Sequence, residues 1–133
     1  MSTRLHAVTL VVPDYDAGLA FYAGVMEFTV TADIDLGGGK RWVLVAPPGG
    51  GAQLLLARAA DSGQAESIGR QAGGRVAFFL QTDDFEAEYS RMKARGVTFE
   101  ETPRRESYGM VVVWRDPFGN RWDLLERADA AGG

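Results

Sequence analysis

The chain contains no cysteine, which excludes a disulfide framework, a thiolate nucleophile and any zinc or iron-sulfur site built on thiolate ligands. Its single histidine, His6, leaves one imidazole for all acid-base or metal chemistry. Basic residues are the minority, 14 Lys and Arg against 18 Asp and Glu. The resulting net charge of −4 argues against nucleic acid or an anionic membrane surface as partner and favours a neutral or cationic small molecule. Long apolar runs are missing too: the first one ends at Pro13, too soon for a signal-peptide core or a membrane span. No Gly-x-Ser-x-Gly nucleophile elbow occurs, and Gly37-Gly38-Gly39-Lys40 lacks the spacing and the following helix of a phosphate-binding loop. These absences predict a soluble, cytoplasmic protein.

What is present is one domain's length of globular composition, 133 residues with 46% hydrophobic and 24% charged side chains, so residues 1–133 read as a single domain. The 17 glycines fall in short runs that read as loops. Leu5 to Val12 is a β-branched run expected to be a strand, and Pro13-Asp14 starts a helix through Phe21 and Tyr22 that ends near Gly24. Strands are expected from Phe28, from Arg41 to Ala46 and from Ala52 to Ala57. Residues 59–74 read as a polar linker with one short helical turn near Gln64 to Arg70. The order then restarts: a strand over Arg75 to Thr82 and a helix capped by Asp83 with Glu86 three residues on. Strands follow over Val97 to Glu101, Tyr108 to Arg115 and Asn120 to Glu126. Residues 127–133 read as a frayed tail.

The two halves superpose at an offset of about 70 residues. Asp14-Tyr15-Asp16-Ala17 falls on Asp84-Phe85-Glu86-Ala87, Pro47 on Pro117 and Leu54-Leu55 on Leu124-Leu125. The chain therefore reads as α+β, two tandem βαβββ modules at about 4–58 and 75–127. On this offset Gln53 matches Asp123 and His6 matches Arg75, polar residues flanked by apolar runs. Strand parity places His6 with Val8 and Leu10, Gln53 with Leu55, Arg75 with Phe79 and Asp123 with Leu125. Polar groups converging between apolar walls suit a small-molecule pocket.

With Leu5-His6-Ala7-Val8 opening the first strand, Phe21-Tyr22 in the first helix, Asp116-Pro117-Phe118-Gly119-Asn120 and then Trp122-Asp123-Leu124-Leu125-Glu126, nearly the whole chain resembles the vicinal oxygen chelate superfamily. That superfamily includes glyoxalase, bleomycin resistance proteins and extradiol dioxygenases. The resemblance implies a cupped mixed sheet with helices outside, a ligand in the cup and a homodimer. It also implies that His6, Gln53, Arg75 and Asp123 occupy the four positions that supply metal ligands in metal-using members. Arg75 departs from that pattern, because a guanidinium has only donors and a fixed positive charge.

Two readings follow. The first is a cup that holds a small organic ligand without a functional metal or other cofactor, for sequestration or resistance. The second is a metal-dependent lyase, isomerase or dioxygenase using His6 and Asp123, so enzymatic activity stays open. Arg75 either faces a ligand or pairs with Asp123, and pairing would lower the Asp123 pKa. His6 is equally a hydrogen-bonded strand histidine, and Gln53 a solvent-facing one. Trp42, Trp114, Phe79, Tyr108 and Met110 either line the ligand or dimer surface or belong to the core. Residues 103–109 form either a ligand-contacting loop or a solvated connection.

Overall fold

A computed structural model describes residues 1–128; of the tail expected over 127–133, Arg127 is instead a strand residue paired with Gly109, and the part beyond Ala128 lies outside the described residues. The chain divides into two compact units, Met1–Ile68 and Gly69 onward. The first has the order β1 (Ala7–Val12), α1 (Tyr15–Leu19), β2 (Thr29–Gly37), β3 (Lys40–Ala46), β4 (Gln53–Arg58) and α2 (Ser62–Ser67). Its sheet runs β1-β4-β3-β2, with β1 and β4 parallel and the other pairs antiparallel. Asp14 caps α1 by accepting from the Ala17 amide at 2.7 Å. The helix then continues past the expected stop at Gly24 as a π-helical turn, Ala20–Val25. Gly18 lets α1 approach the sheet, since a Cβ there would lie 3.0 Å from Leu56 and 3.3 Å from Val12. Val12, Val43, Val45 and Leu56 are fully buried on that side.

The second unit contains β5 (Val76–Gln81), α3 (Phe85–Ala94), β6 (Thr98–Phe99), β7 (Arg104–Glu106), β8 (Gly109–Arg115) and β9 (Arg121–Arg127). Its sheet runs β5-β9-β8-β6, with β7 also pairing β8. Trp122 lies opposite Trp114 across β8 and β9, with ring centroids 4.8 Å apart, and Trp114 is fully buried. The Asp116 to Asn120 turn is tied by its own side chains: Asp116 Oδ1 accepts from the Phe118 and Asn120 amides, both at 2.9 Å.

The expected α+β class and its two βαβββ modules are present, as two mixed sheets of four and five strands rather than one. Several boundaries are corrected. The linker holds helix α2 over Ser62–Ser67, capped by Asp61, slightly earlier than expected. The cap of α3 is Asp84, not Asp83: its Oδ1 accepts from the Ala87 amide at 3.1 Å, which leaves Glu86 in the first turn. The strand expected over Val97 to Glu101 is two residues long, and β7 supplies a second piece of edge pairing. Trp114 is core.

Candidate functional site

In each unit one sheet face is packed by a helix and the other is not. In the second unit the Phe85 amide of α3 donates to Glu126 at 2.8 Å, which places Trp122, Leu124 and Glu126 on the helix side by alternation. Asp123 and Leu125 therefore face the other way. The register adds Phe79 beside Asp123, Val113 on its other flank, and Val111 beside Leu125, with Arg104 next in line on β7. Met110 lies opposite Glu126 and so belongs to the helix side, which removes it from the expected ligand-facing set.

Asp123 is only 8% exposed, yet its Oδ1 is buried with no hydrogen-bond partner. Burial raises its pKa; Arg104 opposes that shift and Glu101 adds to it. Of the two roles open to Arg75, pairing with Asp123 and the lowering it would bring are not seen. Arg75 sits exposed in the turn before β5, its amide donating to the Ala72 carbonyl, and the cations that act on Asp123 are Arg104 and Arg121. The register explains the shift. Asp123 lies opposite Phe79, whereas Gln53 lies opposite Ala7, and β5 has a bulge between Val76 and Phe78. Phe78, not Arg75, is therefore the counterpart of His6.

Around Asp123 stands a group drawn from the end of the expected Val97 to Glu101 strand and from the 103–109 segment, which was expected as either a ligand-contacting loop or a solvated connection. Glu101 follows β6 and accepts from the Val113 amide at 3.0 Å. Arg104 donates to Glu101 at 3.2 Å and to Glu106 at 2.6 Å. Hydrogen bonds to Glu106, then Tyr108, hold its guanidinium more firmly protonated than usual. Arg104 thus serves both Glu101 and Glu106, with Asp123 and a second cation, Arg121, close by. Tyr108 is half exposed and, with Ser107, Leu125, Arg127 and Ala128, lines an open cleft of about 510 Å³. Phe79 is 64% exposed, a large apolar surface beside a buried carboxylate.

In the first unit the helix-free face carries Gln53, Leu55, Leu44 and Trp42, with Ile34 opposite Trp42. Parity fails for His6, which precedes β1. Instead of joining Val8 and Leu10 it stands at the sheet end, with Nδ1 3.4 Å from Gln53 Nε2, while the Gln53 amide donates to the His6 carbonyl at 2.9 Å. The Thr31 hydroxyl donates to Gln53 Oε1.

These donors fit a resident metal poorly. Arg104 and Arg121 already act on Asp123, and Glu101 is committed to Arg104 and Val113, so a further cation would meet fixed positive charge here. Among the described residues no three His, Asp or Glu side chains are grouped closely enough to hold a metal ion. None of the helices described is long and apolar enough to cross a membrane.

Comparison with known proteins agrees with this architecture. Residues 4–124 match the profile of the Glyoxalase/Bleomycin resistance protein/Dioxygenase superfamily. An uncharacterized protein of Shewanella frigidimarina is 47% identical over 97% of both chains. The crystal structure of UcmS2 is similar at 28% identity and a TM-score of 0.80, covering 94% of this chain and 98% of that one. That of TnmS3, an antibiotic binding protein from Streptomyces sp. CB03234, is similar at 26% identity and a TM-score of 0.75, covering 96% and 98%.

Proposed function

The chain belongs to the Glyoxalase/Bleomycin resistance protein/Dioxygenase superfamily, and from that premise we propose that it binds a small organic ligand of antibiotic type, without a resident metal. The observation that carries this reading is Asp123: a nearly buried carboxylate with an orphaned oxygen, flanked by exposed Phe79 on the helix-free face. A buried acceptor left unpaired costs free energy, and a ligand N–H or ammonium placed against it recovers that cost. The unpaired Asp123 oxygen favours a donor-bearing group, while Phe79, Tyr108 and Leu125 offer apolar and aromatic area to the rest of a flat molecule. The antibiotic-binding relative TnmS3 supports the same class. A cytoplasmic location fits a cysteine-free chain.

We also propose a homodimer joined along β2. Among the described residues that strand has β3 as its one neighbour, and it leaves Val30, Ile34 and Leu36 exposed. A second copy pairing the same edge across a twofold axis would satisfy the free backbone groups and bring Ile34 and Leu36 beside their copies.

The ligand reading is tested by titrating metal-stripped protein with antibiotics sorted by aromatic area and charge, following tryptophan fluorescence and the unfolding midpoint. A compound at ~100 times its Kd adds about 2.7 kcal/mol to the folded state. Flat, amine-bearing compounds are expected to shift the midpoint, and Asp123→Ala to weaken them by about tenfold or more, each tenfold being about 1.4 kcal/mol. If nickel, zinc, manganese or ferrous iron shifts the midpoint and no organic compound does, the reading is wrong and the metal-dependent enzyme takes its place.

A further inference from the structure

Thr31, Gln53 and His6 form a polar chain within the first unit. The Thr31 hydroxyl has one proton and two oxygens within reach. The Leu44 carbonyl is the farther, at 3.4 Å, and Gln53 Oε1 makes the closer contact. Donation to Oε1 fixes the amide plane and turns Nε2 toward His6, 3.4 Å from its Nδ1. An amide nitrogen only donates, so Nδ1 must accept. A neutral imidazole that accepts at Nδ1 carries its proton on Nε2. The backbone holds the two residues in this relation, because the Gln53 amide donates to the His6 carbonyl and Gln53 lies opposite Ala7.

We propose that Thr31 and Gln53 are positioning residues that hold His6 as its Nε2–H tautomer, so that the imidazole offers a ligand oxygen a hydrogen-bond donor rather than offering a metal a lone pair. The acceptor it suits is a carbonyl, carboxylate or phenolate oxygen. Reversing the amide would give the opposite outcome. Oε1 would accept from Nδ1–H, Thr31 would accept from Nε2 and donate to Leu44, and the ring's Nε2 would be bare. The two arrangements differ in which ring nitrogen carries the proton. This is measured on the ligand-free protein, so it stands or falls separately from the ligand-binding reading.

Because His6 is the only histidine, labelling histidine with 15N gives one imidazole to assign, and long-range 1H–15N spectra taken at alkaline pH report the tautomer. The reference is the same chain unfolded in urea. The native protein is expected to show a larger Nε2–H fraction than that reference. Thr31→Val releases the amide and should bring the fraction back toward the unfolded value. Gln53→Glu, whose carboxylate accepts only, should invert it to Nδ1–H. A native fraction equal to or below the unfolded one overturns the proposal, as does a folded Gln53→Glu variant with an unchanged tautomer. The wild-type comparison decides the matter even where a variant does not fold.

Discussion

Asp123 shows how a site residue can work against its own fold. Its pKa is raised above the ordinary 3.8 by burial, only partly offset by Arg104. Between the ordinary and the raised value the folded state holds more protons than the unfolded one, so stability falls as pH rises through that window. Asp123→Asn removes the charge without changing the shape. The variant is therefore expected to unfold at a higher temperature than wild type near ~pH 8 and to lose that advantage by ~pH 4, while binding ligand less well. Thermal unfolding across that range checks it, and a variant less stable than wild type near neutrality would mean that the ionised carboxylate is itself stabilising. Glu100 should behave in the opposite sense. Arg121 first, and Arg115, hold its pKa below the usual value, so its contribution is present at neutral pH and fades as pH falls through the lowered value. The side chain is partly exposed and the pair is solvent-screened, so Glu100→Gln should cost no more than about 1 kcal/mol in a denaturant titration near neutrality.

At the scale of elements, much of the arrangement was legible because local chemistry repeats. Asp14 and Asp84 fall together in the duplication and both cap helices, and the Trp122 to Glu126 run is a strand as its alternation implies. What escaped was register. Val76 to Leu80 is apolar throughout, so nothing in it marks that Asp123 pairs with Phe79, which puts Phe78 rather than Arg75 in the place of His6. The Asp83-Asp84 pair offers two caps of the same chemistry; the helix geometry selects the second, the one that the duplication sets on Asp14. The 103–109 segment stays open in the sequence between a ligand contact and a solvated connection because Arg104 and Glu106 lie on a short edge strand, β7, with no apolar run to announce it. The available signal was the alternation of Arg104 and Glu106 two residues apart, which places both on one strand face. Gly109 opens β8 at a φ of 142°, and a Cβ there would lie 2.0 Å from the Glu126 carbonyl oxygen. Gly109→Ala must push β8 away from β9 beside the Tyr108 cleft. A loss of about 2 kcal/mol or more is expected in urea unfolding, from the backbone conformation together with the overlap. A variant as stable as wild type would show that this strand end yields freely.

For the whole molecule, the exposed apolar side chains on β2 bear on assembly. Ile34 and Leu36 are each 53% exposed and Trp42, opposite Ile34, is 41% exposed, all within one hairpin of an acidic chain. An apolar edge strand of nine residues left uncovered invites uncontrolled pairing, which lysine or proline on the edge would ordinarily prevent. Asp33 and Asp35 do lie on this strand, but Arg41 takes up Asp33 at 2.7 Å, so half of that acidic protection is neutralised. A closed twofold pairing of β2 with β2 resolves the conflict, because it uses up the edge and cannot propagate. Sedimentation velocity should therefore find a dimer for the wild-type chain. It should find a monomer of unchanged circular dichroism for the double variant Ile34→Lys, Leu36→Lys, whose like charges would face one another across the seam. A wild-type monomer would remove the dimer from the proposed function. A double variant that stays dimeric would move the interface to another face of the chain and leave the β2 side chains without a role.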